Sequence, residues 1–185
     1  MDHFLSQIFS DTVGREFTDQ DRRSILIRDN RIFRHQVLRI NYTTYDVRRN
    51  QDSINIRTQS DVMVLADNET NGHPYWYARV IGIFHAMVRR SGFGNEWEKR
   101  DFLWVRWYGL ETSHQFGFKA KRLPRIGFVD TDDNAFSFID PANIIRAVHL
   151  IPAFYHGLTS ELLPASMARR KDEDDQDYNR YYVNM

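Results

Sequence analysis

Two groups of residues in this chain have the chemistry to hold a partner. Tyr75, Trp76 and Tyr77 stand together, and Trp104, Trp107 and Tyr108 crowd a second segment. Aromatic faces attract cations, so a few rings converging on one groove can surround a methylated ammonium, each well-placed desolvated ring contributing about 1–2 kcal/mol. Trp76 and Trp107 lead this set, followed by Tyr75 and Tyr108 and then Tyr77 and Trp104. The second group is Arg39, Tyr42, Tyr45, Arg48 and Arg49, with Asn41 and Asn50 beside them. Guanidinium groups grip phosphates while tyrosine rings stack on bases or sugars, so these residues are the candidate nucleic-acid contacts. The plainer alternatives are rings that fill the interior of a small barrel and arginines that lie on a solvated strand face, paired with Asp46 and Asp52.

Catalysis finds no comparable constellation. The histidines at positions 3, 35, 73, 85, 114, 149 and 156 show no His-x-x-x-His or Glu-x-x-His spacing, so no metal ligand and no cofactor is assigned. His149 lies in an apolar run and reads as a core histidine. Asp46, Asp61, Asp130 and Asp140 are carboxylates of the type a two-metal nuclease uses, but nothing fixes their spacing. Glycine-rich phosphate loops and a nucleophile elbow are missing from the sequence. No catalytic residue is assigned, and the chain is expected to bind and not to be an enzyme.

Strands must position these groups. Leu103, Val105 and Trp107 alternate with Phe102, Trp104, Arg106 and Tyr108, a two-residue period that marks a strand with two distinct faces. Tyr75 to Phe84 is a second strongly β-forming segment, with Gly82 marking a bulge or close approach. Asp61 to Ala66 reads as a strand ending in the turn-rich Asp67 to Gly72, and Gln36 to Val47 begins the sheet character. Arg89 to Arg100 reads as a polar loop, and Gly127 to Val129 as a short apolar stretch. Asp140 caps a helical turn with Pro141 at its first position, and Ile144 to Ile151 forms the last strand, stopped by Pro152. Phe4, Leu5, Ile8 and Phe9 share one face of a short amphipathic helix, and Ser24 to Arg28 reads as a short buried strand.

The fold class is therefore mainly β: an antiparallel sheet curled into a partly open barrel, with short helical turns, an extended N-terminal arm and a C-terminal tail. Residues 1–35 are expected to be that arm or the end of an upstream domain, 36–158 the β domain, and 159–185 a charged, truncated tail.

Composition narrows the classes further. With 42% apolar and 14% aromatic residues, 185 residues suffice for a core that buries roughly 70% of the unfolded surface. The absence of cysteine excludes disulfides, thiolate metal sites and cysteine nucleophiles, and points to a reducing compartment. No apolar run approaches the ~20 residues that span a bilayer, so no membrane partner is expected. A formal net charge of zero argues against coating nucleic acid by charge alone. That zero conceals segregation: arginines dominate from Arg22 to Arg57, while Asp172 to Asp177 is an acidic run. Arginine also outnumbers lysine 21 to 4, which favours the planar fork that matches phosphate and carboxylate.

Tyr77 to Phe84, followed after an insertion by Leu103 to Tyr108, resembles the order of strands in bromo-adjacent-homology (BAH) domains, with Asp61 to Leu65 similar to the opening strand and Ile144 to Ile151 to the closing one. That resemblance covers about residues 60–155 and implies a partly open barrel that reads histone tails through an aromatic cage. It places Trp107 in the cage and finds Gly109 where a second ring would stand. A longer likeness, roughly 36–185, rests on Leu38 to Arg49, Phe138 to Pro141, His149 to Phe154 and Tyr181 to Asn184. These segments resemble the C-terminal region of Plavaka-type DNA transposon proteins of basidiomycete fungi. It implies a fragment of a DNA-transposon protein lying downstream of the part that cuts and joins DNA. Together with the aromatic and arginine groups, the expectation is a nuclear, transposon-associated targeting module whose partners are DNA, modified or not, a histone tail, or the catalytic part of the parent transposase. The alternative is a docking or dimerisation domain of a transposase with no ligand of its own.

Overall fold

The computed structural model describes residues 1–8, 16–44, 46–66, 73–92, 95–130, 134–169 and 174–184. Two short helices, α1 (Asp2–Ile8) and α2 (Asp19–Ser24), precede the strands. Thr18 caps α2 in a reciprocal capping box with Asp21. The strands are β1 (Ile25–His35), β2 (Val37–Thr43), β3 (Arg49–Asn55), β4 (Asp61–Leu65), β5 (Tyr75–Arg90), β6 (Glu98–Leu110), β7 (Arg125–Phe128), β8 (Phe136–Ile139), β9 (Ile144–Ala147), β10 (His149–Pro152), β11 (Leu158–Thr159), β12 (Asp177–Tyr178) and β13 (Tyr181–Asn184).

The architecture is mainly β and antiparallel, a partly open sheet, as the strand patterning implied. Its spine is the β5–β6 pair, in register from Tyr77 opposite Tyr108 to Val88 opposite Glu98. Around that pair the strand order is β10-β13-β7-β6-β5-β4-β9, with β1 added to β5 and β8 to β6. The β5–β6 register shifts between Val80 and Gly82, where the glycine was expected to mark a bulge. A Cβ on Gly82 would lie 2.3 Å from the Phe84 ring, so only glycine admits that ring.

Alternation divides the apolar side chains between the two faces of the sheet. Val62, Val64, Ala78, Val80, Leu103 and Val105 build one core, closed by Ile54 from β3 and by Ile144 and Ala147 from β9. Met63, Tyr77, Tyr108, Ile126, Phe128, Tyr181 and Val183 build the other. A third cluster sets Phe4 and Leu5 of α1 against Ile25, Ala86, Val88 and Phe102. The expected amphipathic helix therefore forms and buries its apolar face; Phe9 lies outside the described residues.

Several boundaries differ from the sequence expectation. The region assigned as an N-terminal arm contributes β1, which pairs with β5 from Ile25 opposite Arg90 to His35 opposite Ile83. The region assigned as a charged tail contributes β13, hydrogen-bonded to β10 on one side and β7 on the other. Segments on both sides of residues 35 and 158 thus supply strands to one sheet. Ile144 to Ile151 is two strands: Val148 turns into the second core, leaving β9 beside β4 and β10 beside β13. The turn expected between Arg89 and Arg100 is shorter, since β5 runs to Arg90 and β6 begins at Glu98. His149 is exposed on β10 and is not a core residue. Among the described residues no helix is long and apolar enough to cross a membrane.

One ion cluster fixes the C-terminal strand to the spine. Glu111 accepts from Arg125 at 2.7 and 2.8 Å and from Arg180 at 3.0 Å. Hydrogen bonds from Arg125, then from Ser113, outweigh partial burial and hold the Glu111 carboxyl at about 2, below its ordinary 4.5. A depressed carboxylate stabilises the fold fully above the unfolded value and loses that contribution as pH falls toward the folded one. The melting temperature is therefore expected to drop between about pH 4.5 and pH 2. Thermal melts of Glu111→Gln across the same range check this: the variant should be less stable than the parent at pH 6 and should lose less on acidification.

Candidate nucleic-acid interface

The β2–β3 hairpin is a separate two-stranded sheet laid across the first core. Its register runs from Val37 opposite Asn55 to Thr43 opposite Arg49. Because side chains alternate, one face must carry Leu38, Ile40, Tyr42, Asn50, Asp52 and Ile54, and the other Val37, Arg39, Asn41, Thr43, Arg49, Gln51, Ser53 and Asn55. The apolar members of the first set pack on the main sheet: Ile54 is fully buried, with Leu38 and Ile40 partly so. Asp52 reinforces the seat by accepting from the Ala147 backbone N–H at 2.9 Å, and its carboxylate lies 3.8 Å from Arg146.

The second set faces outward, and all of it but the half-buried Asn55 is exposed. It holds two guanidinium groups, three amides and two hydroxyls, and no carboxylate. Gln51 Nε2 donates to Asn41 Oδ1 across the strands at 2.8 Å. That bond leaves the Asn41 amide N–H groups and the Gln51 carbonyl oxygen directed at solvent, a donor and an acceptor side by side. Arg39 and Arg49 make no ion pair with any described residue. They stand about 13 Å apart along the ribbon at roughly 3.3 Å per residue, with the amide pair between them.

The five residues expected to contact nucleic acid separate accordingly. Arg39 and Arg49 share the outward face. Tyr42 does not interleave with them: its ring lies inward, with the Arg146 guanidinium 4.8 Å from the centroid. Arg48 sits in the connecting turn, where its Nε is 2.9 Å from Asp46. The expected pairing with Asp46 thus holds for Arg48, while Asp52 takes Arg146. Tyr45 lies outside the described residues.

The six rings of the aromatic set do not converge on one groove. Trp76 and Trp107 meet edge to face at 5.9 Å on the same face of the sheet as the hairpin, with Trp76 40% exposed. Trp107 donates its indole N–H to Ser137 Oγ at 2.8 Å. Tyr77 and Tyr108 project to the opposite face and are buried. Tyr108 donates to Asp61 at 2.8 Å and stacks on Phe128, while the Tyr77 hydroxyl meets His73 Nε2 at 2.8 Å. Burial pushes both phenols well above their ordinary pKa, so they stay neutral hydrogen-bonding groups. Tyr75 packs beside His73 against the second core, and Trp104 lies tilted on Phe136. The separation follows from the strand period, since neighbouring residues on β5 and β6 point to opposite faces.

One juxtaposition escapes sequence reading altogether. His35 and His85, 50 positions apart, stand with ring nitrogens 2.6 Å from one another, and Asp101 is beside them. No local spacing signals it, because the group is assembled by the register of β1, β5 and β6. Compared with protein-family models, curated proteins and solved structures, the chain matches none, so the functional reading rests on its own residues.

Proposed function

We propose that the chain is a non-catalytic module that contacts duplex DNA through the outward face of the β2–β3 hairpin. The observation that carries this reading is a carboxylate-free ribbon face bearing Arg39 and Arg49 on either side of the Asn41–Gln51 amide pair. A major groove about 12 Å wide admits a two-stranded ribbon. Guanidinium groups some 13 Å apart would reach phosphates near both walls, while the amides between them would face base edges, where Asn and Gln pair with adenine. Phosphate contacts would set affinity and register, and the amides would supply what sequence preference exists. The resemblance to transposon proteins fits such a targeting role in the nucleus.

Fluorescence anisotropy with a labelled duplex at several salt concentrations tests the proposal. The parent is expected to bind with an affinity that falls steeply as salt rises. Arg39→Ala with Arg49→Ala should weaken binding and flatten the salt slope by about 2, roughly one per lost phosphate contact. Arg48→Ala, already committed to Asp46, should have a smaller effect. Failure of the parent to bind, or an unchanged slope in the double variant, would sink the proposal. A methyl-lysine histone peptide belongs in the same titration: binding to it that Trp107→Ala abolishes, with no binding to DNA, would replace DNA by the tail as the partner.

A further inference from the structure

We propose that His35, His85 and Asp101 form a binding site for a divalent transition-metal ion of the zinc type, independent of the DNA reading. Three adjacent strands bring the residues to one face. His85 lies opposite Asp101 in the β5–β6 register and opposite Phe33 in the β1–β5 register, so His35 is its diagonal neighbour. One nitrogen from each imidazole and a carboxylate oxygen all lie within 4.8 Å of one another. The imidazoles are half-buried and the carboxylate is exposed, which leaves a route for an ion from solvent.

Two ring nitrogens at 2.6 Å cannot both face each other as bare lone pairs or as two N–H groups. One proton must lie between them, or a cation must replace it. Zinc holds imidazole nitrogen at about 2.0–2.1 Å, which places two tetrahedral ligands roughly 3.3 Å apart. The rings therefore need to part by only about 0.7 Å, a small side-chain rotation. Phe33 stacks on His85 with centroids 4.8 Å apart and planes 12° from parallel, so the ring is already oriented.

Lys99 is the competitor. Its ammonium lies 2.8 Å from Asp101 Oδ1 and must release that oxygen when an ion enters. Two imidazoles and a carboxylate leave at least one tetrahedral position for water, and borderline ions such as zinc and cobalt favour this mixture over hard calcium or magnesium. The site also has a mechanical consequence. His35 is the last residue of β1, and β2 begins at Val37, so a bound ion would fasten the base of the hairpin to the spine of the sheet.

Isothermal titration of the full chain with zinc chloride, with cobalt(II) as a spectroscopic substitute, tests the site. The expected result is one ion per chain, a higher melting temperature with zinc, and a cobalt absorption band that needs both histidines. His35→Ala and His85→Ala should each abolish binding; if His85→Ala does not fold, His35→Gln at the strand end serves instead. Lys99→Ala should bind zinc more tightly, because it frees the carboxylate and removes a like charge. No binding by the parent up to millimolar zinc, or undiminished binding by the histidine variants, would overturn the site. Unchanged or weaker affinity in Lys99→Ala would remove Asp101 from the ligands and overturn the three-residue site.

Discussion

Replacing Asp177 by alanine is expected to cost about 3–5 kcal/mol of stability, more than any surface substitution in the chain. Asp177 Oδ2 accepts from Arg106 Nη1 and Nη2, each at 3.0 Å, and both carboxylate oxygens accept from Arg169 at 3.2 Å. The three side chains are only 4–5% exposed, so water does little to screen them. The Arg106 guanidinium carbon lies 3.7 Å above the Phe128 ring, whose face attracts the cation weakly but cannot neutralise its charge. Burial is the largest influence on Arg106 and lowers its pKa, Asp177 opposes it, and Arg169 adds to it. Removing the carboxylate therefore leaves two buried guanidinium groups to repel each other.

Urea unfolding followed by circular dichroism is the measurement. Asp177→Asn should lose a large part of the same free energy, because it keeps the shape and some hydrogen bonds but not the charge. Arg106→Met and Arg169→Met combined with Asp177→Leu should recover much of the loss, since apolar replacement of a whole buried ion cluster is often neutral. A loss below about 1 kcal/mol in Asp177→Ala would match an exposed pair and contradict the burial of this one. Residue 177 lies in the region whose sequence reads as a charged tail. A solvated tail would give almost no effect, so one substitution separates a solvated run from an integrated segment.

How much was legible beforehand depends on whether the signal was local. The two-residue alternation of Leu103 to Tyr108, the apolar run of Asp61 to Leu65 and the cap at Asp140 are written in neighbouring residues, and each appears where expected. Gly82 was equally legible as a bulge. What failed depended on distant pairing. Nothing near Tyr181 says that Ile126 will lie opposite it, and without that partner the segment reads as part of a charged tail. The acidic run likewise looks solvated until Asp177 is seen to have Arg106 and Arg169 as its partners. The same limit acted on the candidate sites. Clusters of like residues along the chain suggested shared sites, yet the strand period sends Tyr77 and Trp76 to opposite faces and turns Tyr42 away from Arg39. Arg39 and Arg49, by contrast, share a face only because the hairpin register sets Arg39 opposite Ser53 and Arg49 opposite Thr43.

The hairpin's dependence on the sheet sets the second large effect: Ile54→Ala should destabilise the protein by about 2–5 kcal/mol. Ile54 is fully buried, lies opposite Leu38, and is the β3 side chain that enters the first core. Truncation removes three carbon atoms from that seat and leaves a void that neighbouring β-branched side chains fill poorly. For a chain of this size each kcal/mol corresponds to roughly 2–4 °C in melting temperature. Val37→Ala, on the exposed face of the same hairpin, should stay within about 0.5 kcal/mol. A two-stranded ribbon is marginal on its own in water, so the lost anchorage should be felt first in the hairpin. Amide hydrogen exchange should show β2 and β3 losing protection before β5 and β6 do. DNA affinity at a temperature where the sheet is intact should then fall with hairpin protection, because a frayed ribbon no longer holds Arg39 and Arg49 on one face. Exchange that rises uniformly through β5 and β6, with β2 and β3 opening only in step with them, would mean that the ribbon is an integral layer of the sheet core and that its opening is not a local event.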